Sequence, residues 1–153
     1  MASDKRSFDN FENFEGDVNK GTGFYEFPVL NHIDSMDRLR VWKINIRLIK
    51  NDNPKITKID WNLLDETQIK IKDEYFDYGE NYKDLPKDVI VEVWVETGIA
   101  DGKITKNIQS YFTEAVLRGR ANQRNTLHQA LNYARTEYLK RKDKGGTTNK
   151  SGH

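Results

Sequence analysis

Two stretches of the chain alternate between positions that would face opposite sides of an extended strand. In residues 39–50, one side would carry Trp42, Ile44, Ile46 and Leu48, and the other Val41, Lys43, Asn45 and Arg47. In residues 89–96, four valines alternate with Ile90, Glu92, Trp94 and Glu96. A period of two is typical of a half-buried antiparallel strand. We therefore predict two strands here, and residues 39–50 are the clearer of the two.

Shorter strand and turn signals surround these two stretches. Further strands are predicted at residues 24–30, 55–61 and 67–76, and in a segment that follows residues 100–102 and ends near Phe112. Pro28 restricts the first of them to an edge position or to the end of the strand. Turns are predicted at the sequences HIDSMD, NDNP and ADG, and a polar loop at DYGENYKDLPKD. The pattern thus predicts about five or six antiparallel strands before the first good helix.

One amphipathic helix is predicted from about residue 126 to residue 142. Its apolar positions recur at spacings of three and four: Leu127, Ala130, Leu131, Ala134 and Tyr138. Either Asn125 or Thr126 can be the N-cap, and Gly145 with Gly146 ends the helix. We predict an α+β fold, in which a twisted antiparallel sheet packs the face of Trp42 against this C-terminal helix.

Length and composition are those of one small intracellular domain. The chain has 153 residues, of which 36% are hydrophobic and 32% charged, so we expect a large solvated surface or flexible terminal segments. We predict a disordered leader at 1–22, a single domain at 23–145 and a flexible tail at 146–153. The absence of cysteine excludes disulfides and thiolate zinc sites. No apolar run resembles a signal peptide or a membrane span, so no membrane partner is expected.

Charge is divided unevenly along the chain. Residues 1–102 carry 14 basic and 21 acidic side chains, whereas residues 103–144 carry 10 basic and 3 acidic side chains. A segment of net charge +7 on a nearly neutral protein is typical of a face that binds a polyanion. The alternative is a solvated helix surface with no ligand.

The basic segment contains a loop that leads directly into the predicted helix. The candidate nucleic-acid-binding residues are Arg118, Gly119, Arg120, Asn122, Arg124 and Asn125 in the loop, and Arg135, Lys140, Arg141 and Lys144 in the helix. Guanidinium groups, amides and the free N–H groups of a helix N-terminus all donate hydrogen bonds to phosphate oxygens. The alternative is a loop that needs glycine for its backbone conformation, with solvated arginines around it.

Motifs of catalysis are missing from the sequence. The histidines His32, His128 and His153 have no metal-ligand spacing, and neither a phosphate-binding glycine loop nor a G-x-S-x-G elbow occurs. We therefore expect no catalytic residue, no metal and no cofactor. A minor alternative is a metal-dependent nuclease built from Asp60, Asp65 and Glu66.

Three parts of the chain together resemble a known family. They are FPVLNHIDSMDRLRVWKINIRLI at 27–49, the Gly-Lys pair at 102–103, and RGRANQRNTLHQALNYARTEYLKRKDKG at 118–145. They resemble the WGR-like modules of ATP-dependent DNA ligases from phages and large DNA viruses, and distantly the WGR domain of poly(ADP-ribose) polymerases. The matching residues are Arg40 and Trp42 in a strand, Gly119, Arg120, Ala121 and Asn122 in the loop, and Gln129, Ala130, Leu131, Tyr138, Lys140, Arg141, Lys144 and Gly145 in and after the helix.

The chain also departs from this family pattern. Residues 62–98 resemble an insertion or an extra hairpin, and no tryptophan precedes Gly119. The K-x-D-G motif of adenylation is absent, because Trp61 stands where its glycine would be in Lys58-Ile59-Asp60-Trp61. The chain is therefore not itself expected to be a ligase.

The resemblance implies a non-catalytic DNA-binding accessory module that acts in DNA replication, repair or ligation. The expected partners are double-stranded or nicked DNA and a larger enzyme or replication protein, in the nucleus or a viral replication compartment. An alternative is a protein–protein interaction subunit of a replication or transcription complex, which would use the acidic, aromatic leader and the central hairpin.

Overall fold

The computed structural model describes residues 15–50, 67–77, 82–113 and 125–153. The fold is α+β: a seven-strand antiparallel sheet has a C-terminal helix packed against it, which confirms the predicted class. The elements are β1 (Asp17–Val18), β2 (Tyr25–Glu26), β3 (Leu30–Ile33), β4 (Leu39–Lys50), β5 (Gln68–Ile69), a 3₁₀ helix (Asp73–Phe76), β6 (Val89–Ile99), β7 (Ile104–Phe112) and α1 (Thr126–Asp143). The strand predicted at 55–61 lies outside the described residues.

Two long strands, β4 and β6, form the centre of the sheet. The sheet order is β1-β2-β4-β6-β7, and β3 and β5 also pair with β4. Strand β6 pairs with β4 from Arg40 opposite Ile99 to Lys50 opposite Val89, and β7 continues the sheet on the other side of β6. Residues 89–98 are therefore a central strand of this sheet, although the resemblance assigned them to an insertion.

The core lies between one face of the sheet and α1, as the apolar stripes predict. The side chains of Ile44, Ile46 and Leu48 are fully buried, and they join the buried stripe of Leu127 and Leu131 in one cluster. Burial of a side chain of this size stabilises the fold by about 1.5–3 kcal/mol. Trp42 belongs to the same sheet face but is only partly buried.

The opposite face of the two central strands is also buried over residues 45–49 and 90–94, and here the sequence interpretation was wrong. Alternation predicts a half-buried strand at 39–50, yet Asn45, Arg47 and Ile49 have no exposed surface. On β6 the same holds for Glu92 and Trp94. Alternation shows which residues share a face, but it does not show whether a second layer covers that face.

The shorter elements differ from the prediction in their bounds. The strand predicted at 24–30 is divided into β2 and β3 around Pro28, whose ring cannot donate to a ladder. The strand predicted at 67–76 is reduced to β5, and the 3₁₀ helix follows it. Within the predicted leader, Asp17–Val18 forms β1 beside β2. Within the predicted flexible tail, Thr147 pairs with Asn31 of β3 through two backbone hydrogen bonds.

Candidate nucleic-acid interface

The N-terminus of α1 is closed by its own cap. Asn125 is the N-cap: its side-chain oxygen accepts from the backbone N–H of His128 at 2.9 Å, and its backbone N–H donates to Nδ1 of His128 at 3.4 Å. Nδ2 of Asn125 donates to the carbonyl oxygens of Tyr75 at 2.7 Å and Lys83 at 2.8 Å. These hydrogen bonds identify Asn125 rather than Thr126 as the cap, and they tie the loop after β5 to the helix.

Burial at this cap removes one part of the predicted phosphate site. Asn125, Leu127 and His128 have no exposed surface, and Thr126 is 3% exposed. A phosphate cannot reach backbone N–H groups that are covered in this way. Among the described candidate residues, Asn125 thus has a structural role as the helix cap.

Most of the candidate loop lies outside the described residues. This applies to Arg118, Gly119, Arg120, Asn122 and Arg124. The nucleic-acid-binding role that the sequence analysis assigns to them stays a prediction.

The C-terminal end of α1 carries a cluster of exposed cations. Lys140, Lys142 and Lys144 are exposed, and Arg141 is partly exposed. Lys140 pairs with Glu137 at 3.4 Å with 65% of its own side chain still exposed, so the ammonium remains accessible. Nζ of Lys142 lies 5.7 Å from the ring centroid of Tyr138. We call Lys140, Arg141, Lys142 and Lys144 the basic end of the helix.

Arg141 connects the basic end of the helix to the sheet. Its Cζ lies 5.8 Å from the ring centroid of Trp42, a distance at which a guanidinium is attracted to an indole ring. Trp42 and Arg40 share the sheet face on which α1 packs. The structure thus brings the residues of the early-strand motif close to the end of the helix motif, although about 100 residues separate them in sequence.

The turn before β4 places the carboxylate of Asp34 beside Arg40. Oδ1 of Asp34 accepts from the backbone N–H groups of Arg38 and Met36, both at 2.9 Å, and Oδ2 accepts from Nε of Arg38 at 3.0 Å. The backbone N–H of Arg38 is the largest of the causes that lower the pKa of Asp34 to about 2. Nη1 of Arg40 lies 3.6 Å from the same carboxylate, with 35% of the arginine side chain exposed.

Polar residues beside Trp42 were missed in the sequence because only strand pairing shows them. Trp42 stands opposite Thr97 on β6, and Thr97 stands opposite Thr105 on β7. Thr97 is partly exposed and Thr105 is exposed. The signal that could have found them is the register between three strands, which periodicity alone does not supply.

A scan against protein-family models finds no match to this chain, and no curated protein matches it. In the ranges that the structure describes, no three acidic or histidine side chains come together as a metal site. The nuclease candidates Asp60, Asp65 and Glu66 lie outside those ranges. None of the helices within them is long and apolar enough to cross a membrane.

Proposed function

We propose that this protein binds DNA without catalysing a reaction on it, as an accessory module in replication, repair or ligation. The observation that carries the proposal is the basic end of the helix, where four cations lie within five residues and remain partly or fully exposed. Side chains of this kind supply most of the affinity for a nucleic-acid backbone, because each neutralised phosphate releases counterions. The resemblance to WGR-like modules of DNA ligases supports the same class of ligand.

The helix dipole alone explains only part of the positive charge in residues 103–144. Cations in the last turn of a helix interact favourably with its dipole, so some of the basic end is expected in any protein. That effect is confined to the last turn, and it does not explain the arginines that the sequence carries at 118–124. The excess of positive charge along residues 103–144 therefore favours a polyanion.

Binding to labelled duplex, nicked duplex and single strand at several salt concentrations tests the proposal. We expect the affinity to fall steeply with salt, with a log–log slope of roughly −3 to −6 for about that many phosphate contacts. No binding at low salt, or binding that does not depend on salt, would exclude nucleic acid as the ligand. It would favour the alternative of a protein-interaction subunit.

A matched pair of triple variants then locates the contacts. Changing Lys140, Lys142 and Lys144 to glutamine should weaken binding, and the salt slope should become shallower by about 1 for every phosphate that the variant no longer neutralises. The control changes three exposed lysines elsewhere, Lys70, Lys72 and Lys87, to glutamine. The control removes the same total charge. An equal loss of affinity in both triple variants would therefore mean that binding depends on the net charge of the protein and not on contacts at the basic end of the helix.

The absence of enzymatic activity is part of the same proposal and has its own test. The purified chain should neither become adenylated by ATP nor cleave DNA with magnesium or manganese, because the sequence has no motif for either reaction. DNA cleavage that Asp60→Asn abolishes would establish the nuclease alternative instead.

A further inference from the structure

The sheet face that holds Trp42 continues past α1 as an open surface. Paired residues share a face, and the pairs Trp42 with Thr97, Thr97 with Thr105, and Val95 with Asn107 carry this face across β4, β6 and β7. Thr105 and Asn107 are exposed, and Trp42 and Thr97 are partly exposed. We call Arg40, Trp42, Thr97, Thr105 and Asn107 the open platform.

The open platform is bordered by cations. Arg141 is held over the ring of Trp42, and Arg40 lies on the platform itself. Two acidic side chains at this border are already engaged, since Glu137 pairs with Lys140 and Asp34 accepts from Arg38. The surface therefore combines an aromatic ring, several cations and short polar side chains.

This combination fits one class of ligand better than others. Proteins that bind single-stranded nucleic acid combine a positively charged surface along the backbone with aromatic rings on which bases stack. The hydroxyl of Thr97 donates to the carbonyl of Val41 at 3.1 Å, which leaves its oxygen free to accept. The amide of Asn107 and the hydroxyl of Thr105 can each donate and accept, as a base edge requires.

The ring of Trp42 and the short side chains beside it favour a single strand over a duplex. Thr97, Thr105 and Asn107 do not extend far from the backbone, so a base must approach the sheet itself to reach them. An unpaired base can do so and can also present a free face to the ring of Trp42, whereas the bases of a duplex are stacked on one another and present only their edges. We propose that the open platform binds a single-stranded segment of nucleic acid, with Trp42 and Arg141 as its stacking site and the basic end of the helix along its backbone. This inference rests on the proposed function and names the form of nucleic acid.

Two neighbouring residues of β7 provide a matched test. Thr105 lies on the platform, whereas Ile104 pairs with Gly98 on the opposite face and is 40% exposed. Thr105→Glu and Ile104→Glu add the same charge at adjacent positions of one edge strand. We measure the fluorescence anisotropy of a labelled single strand of about 12 nucleotides, a length within the usual site size of such proteins, and of a hairpin duplex. Thermal unfolding first shows that both variants are folded.

We expect Thr105→Glu to weaken single-strand binding about fivefold or more and Ile104→Glu less than about twofold, since only the first places a carboxylate beside the strand. Duplex binding should change less than about twofold in both variants, because we expect a duplex to bind along the basic end of the helix through its phosphates rather than on the platform. Equal losses of affinity in both variants, or no loss in Thr105→Glu, would contradict the proposal that the open platform binds nucleic acid. A duplex that binds more tightly than the single strand and is weakened by Thr105→Glu would overturn the single-strand assignment.

The stacking site has a second test that separates aromatic stacking from charge. Trp42→Ala should weaken single-strand binding about fivefold or more, and Trp42→Phe should restore much of it, because base stacking needs a flat ring. Equal binding by the two variants would overturn the stacking site. The triple change at Lys140, Lys142 and Lys144 reports on the proposed function separately: if it weakens binding while Thr105→Glu and Trp42→Ala do not, the protein binds DNA elsewhere.

Discussion

Arg47 and Glu92 form an ion pair that has no exposed surface at all. Nε of Arg47 lies 2.6 Å from Oε1 of Glu92, across the central strand pair β4 and β6. Cζ of Arg47 also lies 5.8 Å from the ring centroid of Trp94, which is itself fully buried. Two residues that count as solvated charges in the sequence are therefore part of the interior.

We predict that Arg47→Met alone destabilises the fold by about 3–5 kcal/mol, because it leaves the carboxylate of Glu92 buried without its partner. Replacement of both residues, Arg47→Met with Glu92→Met, should cost much less than the single change, since neither member of the pair is then left buried without the other. Urea unfolding of the wild type and both variants measures the difference. A double variant as unstable as the single variant would show that the pair contributes through packing rather than charge.

Asn125 should affect stability and leave the basic end of the helix unchanged. Asn125→Ala removes the helix cap and the donor to two loop carbonyls, so we expect a decrease of about 2–4 kcal/mol in the free energy of unfolding. Asn132→Ala, at an exposed position of the same helix, is the control and should change stability by less than about 0.5 kcal/mol. A small effect of Asn125→Ala would mean that the loop near Tyr75 does not depend on this side chain.

Asp34 should make stability depend on pH in the acid range. The pKa of its carboxyl is about 2 in the fold, below the usual value of about 3.9 for an unfolded chain. A carboxyl with a lowered pKa stabilises the fold above the unfolded value, and this stabilisation disappears as the pH falls from about 4 to about 2. Asp34→Asn should remove that part of the pH dependence in unfolding curves, whereas Ser35→Ala in the same turn should retain it.

The loop arginines should affect binding and leave the fold intact. Arg118→Ala and Arg120→Ala are each expected to weaken DNA binding by about 1–3 kcal/mol and to change stability by roughly 0.5 kcal/mol or less. Lys87→Ala, at an exposed position distant in sequence from the loop, serves as the binding control. Unfolding caused by Arg120→Ala would mean that the loop arginines are structural, and the phosphate contacts assigned to them would then be wrong.

The candidate site could be predicted from the sequence only in part. The basic end of the helix follows directly from composition and helical spacing, because both are local properties. The closed helix N-terminus could not be foreseen, since it depends on carbonyl groups at Tyr75 and Lys83, 50 and 42 residues away from Asn125. The polar residues of the open platform could not be predicted for the same reason, because they lie on three different strands.

By itself the sequence determined the elements whose patterns are long enough to be unambiguous. Strands β4 and β6 and helix α1 follow from sustained periods of two and of three to four, and the apolar stripes identify which faces meet in the core. The tertiary structure alone decided which charges are buried, where the short strands begin and end, and that Thr147 pairs with Asn31. These features depend on interactions between segments far apart in the chain. A local pattern shows what a residue can face, whereas burial and pairing depend on what the rest of the chain places against it.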